Sequence, residues 1–273
     1  ESIISILNQS IGRVDITIMD NCSTDGTGDM VREMMQEYPN LHYYRQDHNV
    51  KQIENFKTAV DIAKKDFAIL FHDDDILHPD YFKFAIEAIN KFPNTAIVSS
   101  CYQEWSNPTN DNWAKASQRF DYCVDKKMFV NYLYRMQRYG YSNTIYKVQN
   151  LKDHIYDMEY YAQFGKIGDK PLVANTMKDD DGAVIFRSKK LLRYRVHAGQ
   201  DTQTSGPYYD NIIAYSKFAK QYMQDCWYSK FMFNIINYKQ LRIAYFWGRD
   251  FTLSLEEFIQ KAIDEGAGCE WTR

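Results

Sequence analysis

The sequence predicts an α/β protein, a mostly parallel doubly wound sheet flanked by helices, with a helical C-terminal extension. Three observations predict it. From residue 1 to about residue 103, apolar strand-like runs alternate with runs of helical spacing, the signature of strand–helix–strand units. Acidic turns at Asp20 and at Asp73-Asp74-Asp75 directly follow strand-like runs, and ligands of doubly wound sheets sit beyond the carboxyl ends of strands. From Tyr208 to Trp247 the chain becomes helical and rich in rings, among them Tyr215, Phe218, Tyr222, Trp227, Phe231 and Phe233.

Taken in order, Ser2 to Ser10 has helical spacing through Ile3, Ile4, Ile6 and Leu7, and Val14 to Met19 alternates with period two, as a strand does. Asn21 to Gly28 is turn-rich and leads into a helix with Met30, Val31, Met34 and Met35 on one face. Leu41 to Arg45 reads as a short strand, and Ile53 to Ala63 as a helix with Phe56, Ala59, Val60 and Ala63 inward. Residues 67–71 form an apolar strand that delivers the aspartates, and a helix follows with Pro79 and Asp80 in its first turn. Residues 95–103 predict a further strand, and Ser106 to Asn112 a loop. Helical patterns recur over 125–138 and 153–163, with strands expected at 183–187 and 191–196.

A chain of 273 residues suits one large domain or two intimately packed halves. A net charge of −3 offers no basic field, which argues against nucleic acid as a partner. Aromatic residues reach 16%, which suits a protein that packs or stacks against rings. Cys22, Cys101, Cys123, Cys226 and Cys269 lie far apart with no C-x-x-C pair, so neither a zinc ribbon nor a disulfide framework is indicated, and a reducing cytosol is expected. No run approaches the ~20 apolar residues of a membrane span, and no signal peptide is seen. The chain opens at Glu1 already inside a helical pattern, so a further N-terminal segment is expected.

Crowded carboxylates repel unless a cation or a proton relieves them, which makes Asp73, Asp74 and Asp75 a candidate metal centre. Short carboxylates are hard oxygen ligands and point to Mg²⁺ or Mn²⁺, shared with the phosphates of a nucleotide. An acidic turn capping a helix fits the same residues. An EF-hand does not, because its sixth position would hold His78 where that loop needs glycine. His42, His48, His78 and His154 show no ligand spacing and read as structural.

Three segments fall in order: Ile18 to Thr27, with Asp20-Asn21-Cys22-Ser23-Thr24-Asp25-Gly26; Phe71 to Pro79, with His72-Asp73-Asp74-Asp75; and Tyr194-Arg195-Val196-His197-Ala198-Gly199-Gln200-Asp201. Together they resemble the family 2 glycosyltransferases, inverting enzymes of the Rossmann-like GT-A fold that use nucleotide-diphospho sugars. The likeness runs from residue 1 to about residue 205. Ser5 to Ser10 is similar to the helix after the family's first strand, so the resemblance implies that this chain lacks that strand and its nucleotide-contacting loop. It further implies a donor-binding half over residues 1–105, an acceptor-binding half over 106–205 that completes the domain, and a helical extension over 206–273.

The same resemblance implies roles. Asp20 and Asn21 fall where the family has an Asp-Asp pair reading the base and ribose; Asn in the second place leaves the choice of base open. The family's metal motif, Asp-x-Asp-Asp, aligns its first Asp with His72, a departure here. Asp74 becomes the principal metal ligand, with Asp73 near the ribose and Asp75 supporting the loop or the donor sugar; a register of Asp73-x-Asp75 is the alternative. Asp169, in Phe164-Gly165-Lys166-Ile167-Gly168-Asp169, matches the segment that carries the catalytic base, and a helix N-cap before Lys170-Pro171 competes for it. His197 is implied beside the diphosphate and metal, where imidazole suits Mn²⁺ better than Mg²⁺. Arg195 and Gln200 would steady the diphosphate, Asn49 would contact nucleotide or cap a helix, and Thr202 to Pro207 would form a lid.

The implied activity is transfer from a nucleotide sugar, a UDP sugar foremost, to a saccharide or lipid-linked saccharide by metal-assisted single displacement. The implied setting is bacterial surface-polysaccharide synthesis in the cytoplasm, at the inner face of the membrane. Trp105, Trp113, Tyr141 and Tyr146 could stack on acceptor sugars or fill the core. Peripheral membrane association, a homodimer contact and ordinary helix packing are the roles open to the aromatic tail. A nucleotidyltransferase acting on sugar phosphates and a non-catalytic sugar- or nucleotide-binding module are the rival classes.

Overall fold

The computed structural model describes residues 1–105, 119–135, 143–187, 191–197, 209–248 and 252–269. The chain runs α1 (Ser2–Leu7), β1 (Ile16–Asp20), α2 (Thr27–Glu37), β2 (Leu41–Arg45), α3 (Gln52–Ile62), β3 (Phe67–Ile69), β4 (Ile76–Leu77) and α4 (Tyr81–Lys91). It continues through β5 (Thr95–Ser100), β6 (Tyr102–Trp105), β7 (Phe120–Cys123), α5 (Lys126–Arg135), β8 (Thr144–Lys147), α6 (Val148–His154) and α7 (Met158–Ala162). A 3-10 turn (Gly165–Ile167) precedes α8 (Asp169–Asn175), β9 (Gly182–Phe186) and β10 (Leu192–Arg195). The C-terminal region is helical, with α9 (Tyr209–Lys220), α10 (Trp227–Gly248) and α11 (Leu255–Asp264).

A five-stranded sheet of order β3-β8-β5-β9-β7 divides the interior in two. Successive strand side chains point to opposite faces, and the apolar residues obey that period. Ile97, Tyr146, Ala183 and Ile185 enter the core shared with α5, α8, α9, α10 and α11, whereas Val98, Ile145, Val184 and Phe186 enter the core shared with α2 and α4. Both faces are covered, so β5 and β9 are buried at every position; β9 is apolar throughout after Gly182, whereas β5 also buries Thr95, Ser99 and Ser100. β8 and β9 lie between strands drawn from the first 105 residues and from β7, so segments from both sides of residue 105 share one sheet.

Two smaller sheets carry the strand ends that matter for function. β1 and β2 pair in parallel, and β10 lies between β4, antiparallel, and β6, parallel. The α/β class, the flanking helices and the helical C-terminal region agree with expectation. Among the described residues pairing is mixed rather than mostly parallel: β1–β2, β6–β10 and β5–β9 are parallel, and the four remaining pairings are antiparallel. An apolar run reports burial on two faces but not the direction in which the chain enters a sheet, and β8 enters against both its neighbours.

Two expected elements divide, and a third begins later than expected. The run 95–103 breaks at Cys101, whose N–H donates to Phe186; there the chain leaves the five-stranded sheet, and β6 joins β10. The expected helix over 153–163 is two helices, because the Asp157 side chain accepts from the Tyr160 N–H and starts α7 afresh. Asp80 is the N-cap residue of α4, with Pro79 before it, rather than part of its first turn. Gln200, Trp113, Tyr141, the expected loop from Ser106 to Asn112 and the expected lid from Thr202 to Pro207 lie outside the described residues.

Candidate active site

At the end of β1 the chain turns through Cys22, whose φ of 65° is left-handed and unusual for a residue with a side chain. The turn folds over Asp20, which is 4% exposed. Its carboxylate accepts from the Ser23 N–H at 2.8 Å and from the Tyr43 hydroxyl, and Arg45 lies at 3.5 Å. Burial works against the charge, but Ser23, Tyr43 and Arg45 together hold the carboxyl below its ordinary range. Asn21 is equally engaged: its amide donates to the Val50 carbonyl at 2.7 Å and accepts from the Val50 N–H at 2.8 Å. Asn55 closes the same corner by donating to the Met19 carbonyl.

The aspartate loop joins β3 to β4 and is stitched to the end of β10. The buried Asp75 carboxylate accepts the Arg195 N–H at 3.1 Å, and Arg195 Nε donates to the Asp74 carbonyl at 2.7 Å. The guanidinium also pairs with Glu1, which lowers the Glu1 carboxyl, and lies 4.6 Å from the centre of the Trp105 ring. Two residues on, His197 Nε2 stands 3.3 Å from Asp74 Oδ2. From the other side, His72 joins Asp74 and Asp75, each offering one ligand atom within 4.8 Å of the others. Asp74 is therefore common to both imidazoles, and this mixed oxygen and nitrogen set fits a divalent cation. Asp73 is outside the cluster and exposed, with its backbone carbonyl held by the Ser2 hydroxyl.

Asp169 opens α8 as its first helical residue, with Gly168 in the N-cap position, so it is not the cap itself. Its carboxyl faces the backbone N–H groups of Asp169 and Lys170, as an acid in a first turn does. The residue is partly buried. Burial raises its carboxyl above the ordinary range, against the opposing pull of the Lys170 ammonium and of His72. Lys170, itself lowered by burial, rests 5.5 Å from the centre of the Tyr215 ring.

Asp20, Asn21, Asp73, Asp74, Asp169 and His197 all line one cleft of about 3130 Å³. A single ligand pocket spans roughly 300–1,000 Å³, so the cleft exceeds one ligand's needs. Much of it runs along β1 and β3, which do not pair with each other. Asn49, Asp75 and Arg195 do not line it. Asn49 is exposed, and Lys51, not Asn49, occupies the N-cap of α3. Tyr146 is fully buried in the core and is not available to stack on a sugar, whereas Trp105 lies beneath Arg195.

Sequence reasoning did not assign His72, Tyr43 or Lys170 to the site. The parallel register of β1 and β2 sets Asp20 opposite Arg45, with Tyr43 two residues before it, a signal that is readable only once the pairing is known. His72 was visible as the residue that breaks the acidic motif.

The sequence profile described as Glycosyl transferase family 2 matches residues 1–158. A curated relative, "Uncharacterized protein y4gI" of Sinorhizobium fredii (strain NBRC 101917 / NGR234), is 26% identical over 99 residues, which is 36% of this chain and 11% of that protein. The chain thus spans a small part of that relative's length. Among solved structures, S. aureus TarS 1-349 in complex with UDP-GlcNAc is similar with a TM-score of 0.60 at 14% identity, over 97% of this chain and 74% of that one. The mannosyltransferase PcManGT from Pyrobaculum calidifontis, in complex with GDP-Man and Mn²⁺, gives a TM-score of 0.50 at 13% identity, over 96% of this chain and 74% of its own. At such identities the likeness establishes a common fold, the GT-A arrangement. With its profile spanning more than half of the sequence, this chain belongs to glycosyl transferase family 2.

Proposed function

We propose that this chain is an inverting glycosyltransferase that moves a sugar from a nucleotide-diphospho sugar, a UDP sugar foremost, to a hydroxyl of a saccharide or lipid-linked saccharide. One observation carries this reading: a cluster around Asp74 that fits a cation and a partly buried carboxyl with raised proton affinity, Asp169, line the same cleft. Leaving-group stabilisation and proton abstraction require those two contrasting environments.

Asp74, with His72, Asp75 and His197 around it, would hold Mn²⁺ or Mg²⁺. A divalent ion held there would offset negative charge on a nucleoside-diphosphate leaving group. Asp169 takes the proton from the acceptor hydroxyl as that oxygen attacks the anomeric carbon. The bond to the diphosphate breaks on the opposite face, so the centre inverts. Asp20 and Asn21, held by Ser23, Tyr43 and Val50, shape the wall against which the nucleoside rests. The exposed carboxylate of Asp73 is the group assigned to the ribose, and Arg195 positions Asp74 and Asp75 from behind.

The proposed setting is polysaccharide assembly at the cytoplasmic face of the bacterial membrane. What supports it is α10, which has Lys230, Lys239 and Arg242 but no acidic residue, and exposes Trp227, Tyr228 and Phe246. Rings with cations suit an anionic interface. No helix among the described residues is long and apolar enough to cross a membrane.

Thermal-shift screening with UDP, GDP and TDP sugars, followed by product analysis with Mn²⁺, tests the reading. Release of nucleoside diphosphate supports transfer. Pyrophosphate would mean nucleotidyl transfer, and absence of any product would leave only a binding module.

A further inference from the structure

The residue that breaks the family's acidic motif stands in the cluster that fits a cation. His72 offers a ring nitrogen within 4.8 Å of the ligand oxygens of Asp74 and Asp75. Its ring is stacked with Phe56, with centroids 6.3 Å apart and planes 2° from parallel, so an apolar ring lies beside it. Phe56 belongs to α3, the helix that also holds the corner of Asp20 through Asn55. Asp74 also meets a second imidazole, His197, at 3.3 Å.

We propose that His72 sets the ion preference of this centre, favouring Mn²⁺ over Mg²⁺ more strongly than an all-carboxylate centre would. The inference rests on the metal-assisted reading above and deepens it. Two physical effects act in the same direction. Replacing a carboxylate by a neutral imidazole removes one negative charge, and Mg²⁺, which dehydrates reluctantly and is held almost wholly by oxygen charge, loses most by that exchange. Imidazole nitrogen is a better donor to the transition ion than to Mg²⁺, so part of the loss is returned to Mn²⁺ alone. The carboxylates of Asp74 and Asp75 still supply the hard oxygens that Mn²⁺ accepts, which keeps the centre mixed rather than soft.

The experiment is calorimetric titration of the full chain with Mn²⁺ alone and with Mg²⁺ alone, comparing wild type, His72→Asp, His72→Ala and Asp74→Asn. Circular dichroism checks each fold. Electron spin-echo measurements of nitrogen coupled to bound Mn²⁺ supply a readout independent of activity. The wild type is expected to prefer Mn²⁺ by at least about ten-fold, and His72→Asp to cut that ratio by about ten-fold while tightening Mg²⁺. His72→Ala is expected to remove one coupled nitrogen from the spin-echo signal. An unchanged Mn²⁺/Mg²⁺ ratio in His72→Asp, or an unchanged nitrogen signal in His72→Ala, overturns the inference. If Asp74→Asn abolishes binding while both His72 variants match wild type, the metal-assisted reading stands and only the role of His72 falls. If the wild type binds neither ion, both fall.

Discussion

Asp20 is buried and Asp169 partly buried, and their surroundings move their proton affinities in opposite directions. At Asp20 two hydroxyl or amide donors and Arg45 outweigh burial, and the carboxyl is lowered; at Asp169 burial prevails over Lys170, and the carboxyl is raised. For Asp169 the sign makes a kinetic prediction. A raised carboxyl stays protonated, and useless as a base, to a higher pH than the ordinary ~3.9, so kcat/KM should climb with pH through that raised value. Asp169→Asn should lose this limb and about 10²–10⁴-fold in kcat while keeping the donor-induced thermal shift. Normal turnover by that variant would remove Asp169 from the role of base. For Asp20 the sign makes a stability prediction. Its lowered carboxyl contributes stability that is fully present above its unfolded value and lost as pH falls through its folded value. Asp20→Asn should therefore cost about 1–3 kcal/mol near neutrality, and the deficit should shrink in acid, as urea unfolding at the two conditions would show.

At the scale of elements, the proposed base Asp169 depends on one tight turn. Gly165 sits at φ 49°, and a side chain added there would meet Asn211 of α9. The turn it opens ends at Gly168, immediately ahead of Asp169. Gly165→Ala should cost about 1–3 kcal/mol through left-handed strain, and should lower kcat with little change in donor KM, because it moves α8 and not the donor wall. An unchanged kcat would show that the turn does not position the base. The strands β1, β2, β3, β9 and β10 and the two acidic turns could be read from periodicity and turn residues, because each is a local property of sequence, whereas β4, β7 and β8 are too short or too irregular in pattern to announce themselves. What escaped was long-range. That Asn21 spends its amide on Val50, that Tyr43 reaches Asp20, and that Arg195 stitches β10 to the aspartate loop all require the strand order. The break at Cys101 escaped for a similar reason, since Thr95 to Gln103 is uniformly suitable for a strand and only the demands of two sheets divide it.

At the scale of the molecule, the site is assembled from segments far apart in sequence: the end of β1, the loop before β4, the start of α8 and the end of β10. Interleaving of β8 and β9 with β3 and β5 makes these segments parts of one folded unit with a core on each face of its central sheet. A donor with its ion should therefore stabilise the whole fold rather than one lobe. Ligand at about a hundred times its Kd adds ~2.7 kcal/mol. At about 2–4 °C per kcal/mol for a chain of this class, Tm should rise by roughly 5–10 °C in a single transition. Mn²⁺ and UDP given together should exceed the sum of their separate shifts if Asp74 and the phosphates hold one ion between them. Asp74→Asn should abolish that excess and retain only the smaller shift from UDP alone, whereas Asp169→Asn should retain all of it. Equal excess in wild type and Asp74→Asn would take Asp74 out of the ion site, and two separate transitions would show that the cleft joins lobes that melt independently.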